Sequence, residues 1–77
     1  MEELIKFLIT PLLSKPQNIT IEKVQDNSKI TFNVFIEKND IAKVIGKGGK
    51  MIKSIKNLVK IRAIKENVFV NVEVMEK

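Results

Sequence analysis

Val44-Ile45-Gly46-Lys47-Gly48-Gly49-Lys50-Met51-Ile52 is an apolar run broken by a glycine-rich turn. Gly46 and Gly49 bracket two residues, and the helical pattern on one side resumes on the other. Glycine has no Cβ, so a turn of this kind brings two helices close and lets backbone approach a ligand. Lys47 lies inside the turn and Lys50 just beyond it. The chemistry favours an anionic guest, of which nucleic-acid phosphate is the natural one.

Working outward, Asn39 is a good N-cap for a short helix over 40–45, which Gly46 ends. A second helix is predicted from near Gly49 to about Glu66. Met51, Ile52, Ile55, Leu58 and Val59 form its apolar stripe. Lys50, Lys53, Lys56 and Lys60 share about 120° of arc on another face. Asn67 suits a left-handed helix exit. Val68, Val70, Val72 and Val74 then alternate with Phe69, Asn71 and Glu73, which predicts a strand with one apolar face.

On the other side of the turn, 29–36 is the clearest strand. Ile30, Phe32, Val34 and Ile36 alternate with Thr31, Asn33 and Phe35. A strand over 19–25, rich in β-branched residues, precedes it through Asp26-Asn27-Ser28, and the short link makes the pair an antiparallel hairpin. From Glu2 to about Lys15 the spacing of Leu4, Phe7 and Leu8 predicts a helix, with acids at its positive end. Pro11 removes the bond to the Phe7 carbonyl, so a kink or break is expected near Thr10, and Pro16 ends the segment. The order is αββααβ. Three amphipathic strands need helices over one face, which gives a two-layer α+β sandwich with a three-stranded sheet.

Ile45-Gly46-Lys47-Gly48-Gly49-Lys50-Met51-Ile52 resembles the I-G-x-x-G-x-x-I signature of the KH domain, and αββααβ corresponds to the type II arrangement of that fold. The resemblance spans essentially all of residues 1–77, read as a single domain. The chain looks most like the small stand-alone bacterial KH family called KhpA or YlqC. Its length, its opening helix, the segment from Asp40 to Gly49, and Leu58-Val59 followed by a basic stretch carry that likeness. Pro11 departs from it, but far from the motif.

The resemblance implies a single-stranded RNA-binding protein, an RNA chaperone or post-transcriptional regulator, that clamps about four nucleotides along the turn. Gly46, Lys47, Gly48, Gly49 and Lys50 would meet the backbone, with Lys43 and Lys53 beside them. Ile41, Val44 and Ile52, with Ile36, would floor a groove beneath the bases. The resemblance also implies association with a second copy or with a larger KH-containing partner of the KhpB type. The alternative is a module of KH shape that serves protein assembly alone.

Composition supports the nucleic-acid reading and weakens others. From Lys43 to Lys65 there are eight basic residues and no acid, leaving six bases against nine acids elsewhere. That run reads either as a solvated lysine face or as the footprint of a polyanion; its overlap with the turn favours the second. There is no cysteine and no histidine, which removes the thiolate, the commonest general base and the commonest metal ligand. The carboxylates are scattered. No enzyme, cofactor or metal site is expected. Gly48-Gly49-Lys50 is followed by Met51, so neither a P-loop nor a dinucleotide fingerprint fits. The apolar N-terminal stretch begins with acids and falls far short of the ~20 residues that span a bilayer. A cytoplasmic protein is expected. Ile30, Phe32, Val34, Val70 and Val72 are read as core. Phe35 and Phe69 fall on the opposite sheet face, where they stack bases, form a self-association patch or stand as isolated surface apolars.

Overall fold

The computed structural model describes all residues, Met1–Lys77. Strands β1 (Thr20–Asp26) and β2 (Lys29–Ile36) form the expected antiparallel hairpin, with Asp26 opposite Lys29. Asn27 makes the reversal at φ 56°, a left-handed angle that asparagine tolerates better than most side chains. Parallel strands cannot be joined by a tight turn and need a crossover. Helices α2 (Lys38–Ile45) and α3 (Lys50–Lys65) supply it, and β3 (Phe69–Glu76) returns parallel to β2. Asn67, at φ 61°, turns the chain out of α3 as expected. The sheet order is β1-β2-β3.

Alternation along β2 sends Phe32, Val34 and Ile36 into the core, where they meet Val72 of β3. Ile5 and Ile9 come from α1 (Glu2–Ile9), Val44 from α2, and Ile55 and Val59 from α3. Ile30 and Val70 pack partly buried against this cluster. β1 is different. Only Ile21 of its core-side row is even half-buried, and Lys23 and Gln25 are exposed. The helical layer therefore covers β2 and β3 and stops short of the far end of β1.

Two boundaries differ from the sequence reading. The first helix ends at Ile9 rather than near Lys15. Thr10–Leu12 tightens into a 3₁₀ turn holding Pro11, and Leu13 is extended (φ −93°, ψ 141°). Pro11 has no N–H to give the Phe7 carbonyl, so the α-helical ladder stops there. The break lets Leu13 enter the core at 9 % exposure. The second difference is at α2, which starts at Lys38 with Glu37 as N-cap; Asn39 lies inside it, exposed, and caps nothing.

The reason is Asp40. Three positions past the cap, it is 2 % exposed. Its carboxylate accepts the Ser14 hydroxyl at 2.8 Å and the Ser14 amide at 3.2 Å, and the Lys43 ammonium lies 3.6 Å away. Those hydrogen bonds, led by the Ser14 hydroxyl, outweigh burial and hold the Asp40 carboxyl below its ordinary pKa. The interaction ties the segment after α1 to the first turn of α2, across 26 residues of sequence. The apolar stripe of α3 also needs correction. Leu58 is 49 % exposed and Met51 39 %, while Ala63 takes a buried place in the packed face.

Two outcomes follow from this packing. Phe32→Ala should cost about 3–5 kcal/mol, comparable to the whole stability of a small domain, whereas Leu58→Ala should change a denaturant midpoint little. Because the folded-state pKa of Asp40 lies below its unfolded value, its stabilisation is complete above about pH 4 and is lost as pH falls through the folded value. Asp40→Asn should lower the midpoint at neutral pH and flatten the acid limb of stability against pH; an acid limb as steep as that of the unaltered chain would refute the assignment.

Candidate nucleic-acid interface

α2 closes on Gly46, whose amide donates to the Ala42 carbonyl at 2.9 Å. Gly46 has φ 76° and ψ 173°, a region open essentially to glycine alone. A Cβ there would lie 2.6 Å from the Met51 Cβ and 3.0 Å from the Met51 nitrogen. Gly46 is thus the point where the two helices touch. Gly48 (φ 64°, ψ 19°) and Gly49 (φ 76°, ψ 12°) are both left-handed. A Cβ on either would meet nothing within 4 Å, so these two glycines answer a backbone angle and leave the outer side of the turn clear. The Gly49 amide donates back to the Gly46 carbonyl at 3.1 Å and the Lys50 amide to the Lys47 carbonyl. The turn is internally bonded and holds its own shape.

The start of α3 breaks the usual electrostatic rules. Its N-cap is Gly49, with no side-chain cap, and its first turn carries no acid. Lys50 stands there instead and Lys53 follows, although the positive end of a helix dipole repels cations. Lys47, Lys50, Lys53, Lys56, Lys60 and Lys65 are all exposed, and none forms an ion pair; the ion pairs of the chain are Lys6–Glu2, Lys43–Asp40 and Arg62–Glu66. Positive charge runs from the turn along α3 with no internal counter-ion.

The residues singled out in the sequence divide into groups. Gly46, Lys47, Gly48, Gly49 and Lys50 form one continuous surface turn. Ile41 on α2 and Ile52 on α3 pack against the core yet stay partly accessible. Lys53 is exposed on the first turns of α3. Val44 is a correction: it is 0 % exposed, sealed in the core, and cannot touch a base. Ile36, at 1 %, is likewise core. For Ile36 the alternation of β2 already implied the core-side face; for Val44 a short helix gives no signal of which apolar side faces inward. Lys43 points its ammonium at Asp40 and is partly spent on that contact. Ile45 and Met51, each more than a third exposed beside the glycines, are apolar positions the sequence reading did not place in the site. No three carboxylates gather where they could hold a metal ion, and no helix is long and apolar enough to cross a membrane.

A sheet of this order with paired helices joined by a Gly-x-x-Gly turn is a KH fold. Solved structures agree: Era in complex with MgGDPNP and nucleotides 1506–1542 of 16S ribosomal RNA superposes with a TM-score of 0.66 over 97 % of this chain, at 17 % identity. At that identity the likeness concerns the fold alone, and the chain spans only 29 % of the Era chain. The model of the KhpA/KhpB KH domain matches residues 2–74, and the chain belongs to that family. It is 35 % identical over 77 residues to RNA-binding protein KhpA of Chlamydia trachomatis, covering all of this chain and 99 % of that one. It is 36 % identical over 75 residues to RNA-binding protein KhpA of Clostridium perfringens, covering 97 % of this chain and all of that one.

The three glycines should separate on substitution. Gly48→Ala meets only the backbone penalty of about 1–2 kcal/mol, while Gly46→Ala adds the collision with Met51 and should lower a urea midpoint further. Equal losses at the two positions would show that the helices are not in contact at Gly46.

Proposed function

We propose that this chain binds single-stranded RNA across the Gly46–Lys50 turn and acts in the cytoplasm as an RNA chaperone or post-transcriptional regulator, without enzymatic activity. The observation that carries the reading is the turn itself: a glycine-rich, internally hydrogen-bonded bend at a helix start where lysines stand with no acid to neutralise them. A phosphodiester supplies the missing negative charge. Oriented amides and the α3 dipole favour it, and Lys47 and Lys50 lie on either side of the approach. Relatives bearing the name RNA-binding protein support the same reading. Ile41 and Ile52, with Ile45 and Met51 at the turn, offer apolar surface to bases that leave the backbone track.

A site of about four nucleotides binds weakly, and linking two sites raises avidity without new contacts. This favours a protein that works as a homodimer or beside a larger KH-containing partner of the KhpB type. Exposed Leu58, Ile61 and Phe7 are the observation behind the rival reading, a pure assembly module.

Replacing Lys47 and Gly48 together by aspartate decides between them. Aspartate is among the side chains that best tolerate a left-handed angle, so the variant should keep its circular dichroism spectrum. It should lose binding to an oligoribonucleotide at least tenfold. For the unaltered chain, the logarithm of affinity should fall against the logarithm of salt by about 0.7 per phosphate contacted. A folded variant with undiminished RNA affinity would favour assembly.

A further inference from the structure

A groove of about 740 Å³ lies at the opposite end of α3 from the glycine turn. Lys60, Ala63 and Ile64 form its helical wall; Phe69, Val70 and Asn71 of β3 and Lys29 of β2 form the other. Phe69 is 72 % exposed and Ile64 67 %, so both present apolar surface to whatever enters. β3 is an edge strand, with backbone donors and acceptors free along its outer side. Phe69 sits beside Lys29 in the sheet register. Cations therefore stand at both sides of an aromatic surface.

We propose that this groove is a second nucleotide subsite, which takes bases of the same single strand that crosses the glycine turn. The inference rests on the RNA reading given above and extends it. Continuity carries it. α3 has 16 residues and is about 24 Å long at ~1.5 Å per residue. Lys50, Lys53, Lys56 and Lys60 lie along one flank, all exposed and without ion pairs. Ile64 falls within the same arc, given ~3.6 residues per turn. The row thus begins at the turn and ends on the groove wall at Lys60. Of the acids nearby, Glu66 is held by Arg62 at 2.7 Å, and Asp26 stands opposite Lys29 in the hairpin, leaving Lys60 unopposed. A base stacked on Phe69 can satisfy its polar edge on the Asn71 amide or the β3 backbone while its phosphate meets Lys60. An apolar groove without the lysine row would fit a peptide equally well; the row favours a polyanion.

The test compares oligouridylates of about four and about ten nucleotides on the full chain. Phe69→Ala should leave the short oligomer unaffected and weaken the long one about fivefold or more, the stacking of one base being lost. Lys60→Gln, on an exposed side chain that cannot disturb folding, should reduce the salt slope by about 0.7 for the long oligomer alone. Long-oligomer binding unchanged in both variants overturns the subsite, as does a change in self-association by sedimentation with RNA binding intact, which would assign the groove to protein. Failure of the underlying reading looks different: the unaltered chain would not bind the short oligomer at all.

Discussion

The parallel pairing of β2 with β3 is the constraint on which everything else depends. Parallel neighbours demand a crossover, and here the crossover is two helices that reverse within the few residues from Gly46 to Gly49. Three positive-φ glycines make that reversal. Gly46 does so at the helix contact, where a Cβ would strike Met51; Gly48 and Gly49 do so in the open. The demand of the fold for a tight return and the demand of a ligand for bare backbone are met by the same residues. The glycine turn is part of the scaffold, because the crossover between the parallel strands runs through it.

The electrostatics point the same way. A helix start optimised for stability would carry a Ser, Thr or Asp cap and acids in its first turn. α3 has glycine, lysine and no acid. α2, a few residues earlier, has no side-chain cap either but does carry an acid in its first turn, Asp40, buried and bonded to Ser14. Two helices of one small domain thus treat their positive ends in opposite ways. The one that is neutralised holds the N-terminal segment in place; the one that is not faces solvent. Local departures from stability gather where a ligand is to supply the missing interaction.

How much of this was legible in the residues varies by element, and for physical reasons. β2 and β3 alternate strictly, and their faces follow at once. The glycine turn was legible because Gly-x-x-Gly stands here between isoleucines, with lysines in place and the whole αββααβ order around it. The end of α1 was half legible: Pro11 announces a break, but not that the chain extends at once and buries Leu13. Asp40 was not legible, since its partner lies 26 residues away, and no local pattern encodes a contact of that range. Val44 and Leu58 failed for a related reason. On an eight-residue helix, or on one whose apolar residues spread around most of its circumference, periodicity does not say which side the sheet will cover.

That spread along α3 bears on how the molecule works. Ile55, Val59 and Ala63 suffice to seat the helix on the sheet. Leu58, Ile61 and Ile64 are therefore surplus to folding, and apolar surface not needed for folding normally stays small in a soluble domain. The surplus is spread across the exposed face. At ~3.6 residues per turn Ile64 lies within the arc of Lys50, Lys53, Lys56 and Lys60, Ile61 falls just past Lys50, and Leu58 lies further round beside Lys65 and Arg62. Basic and apolar side chains are thereby interleaved over the exposed face of α3. A second protein chain seated on Leu58 and Ile61 would also cover Lys65 and approach Lys50. An assembly contact on that face and a polyanion on the lysine row would therefore compete for part of the same surface.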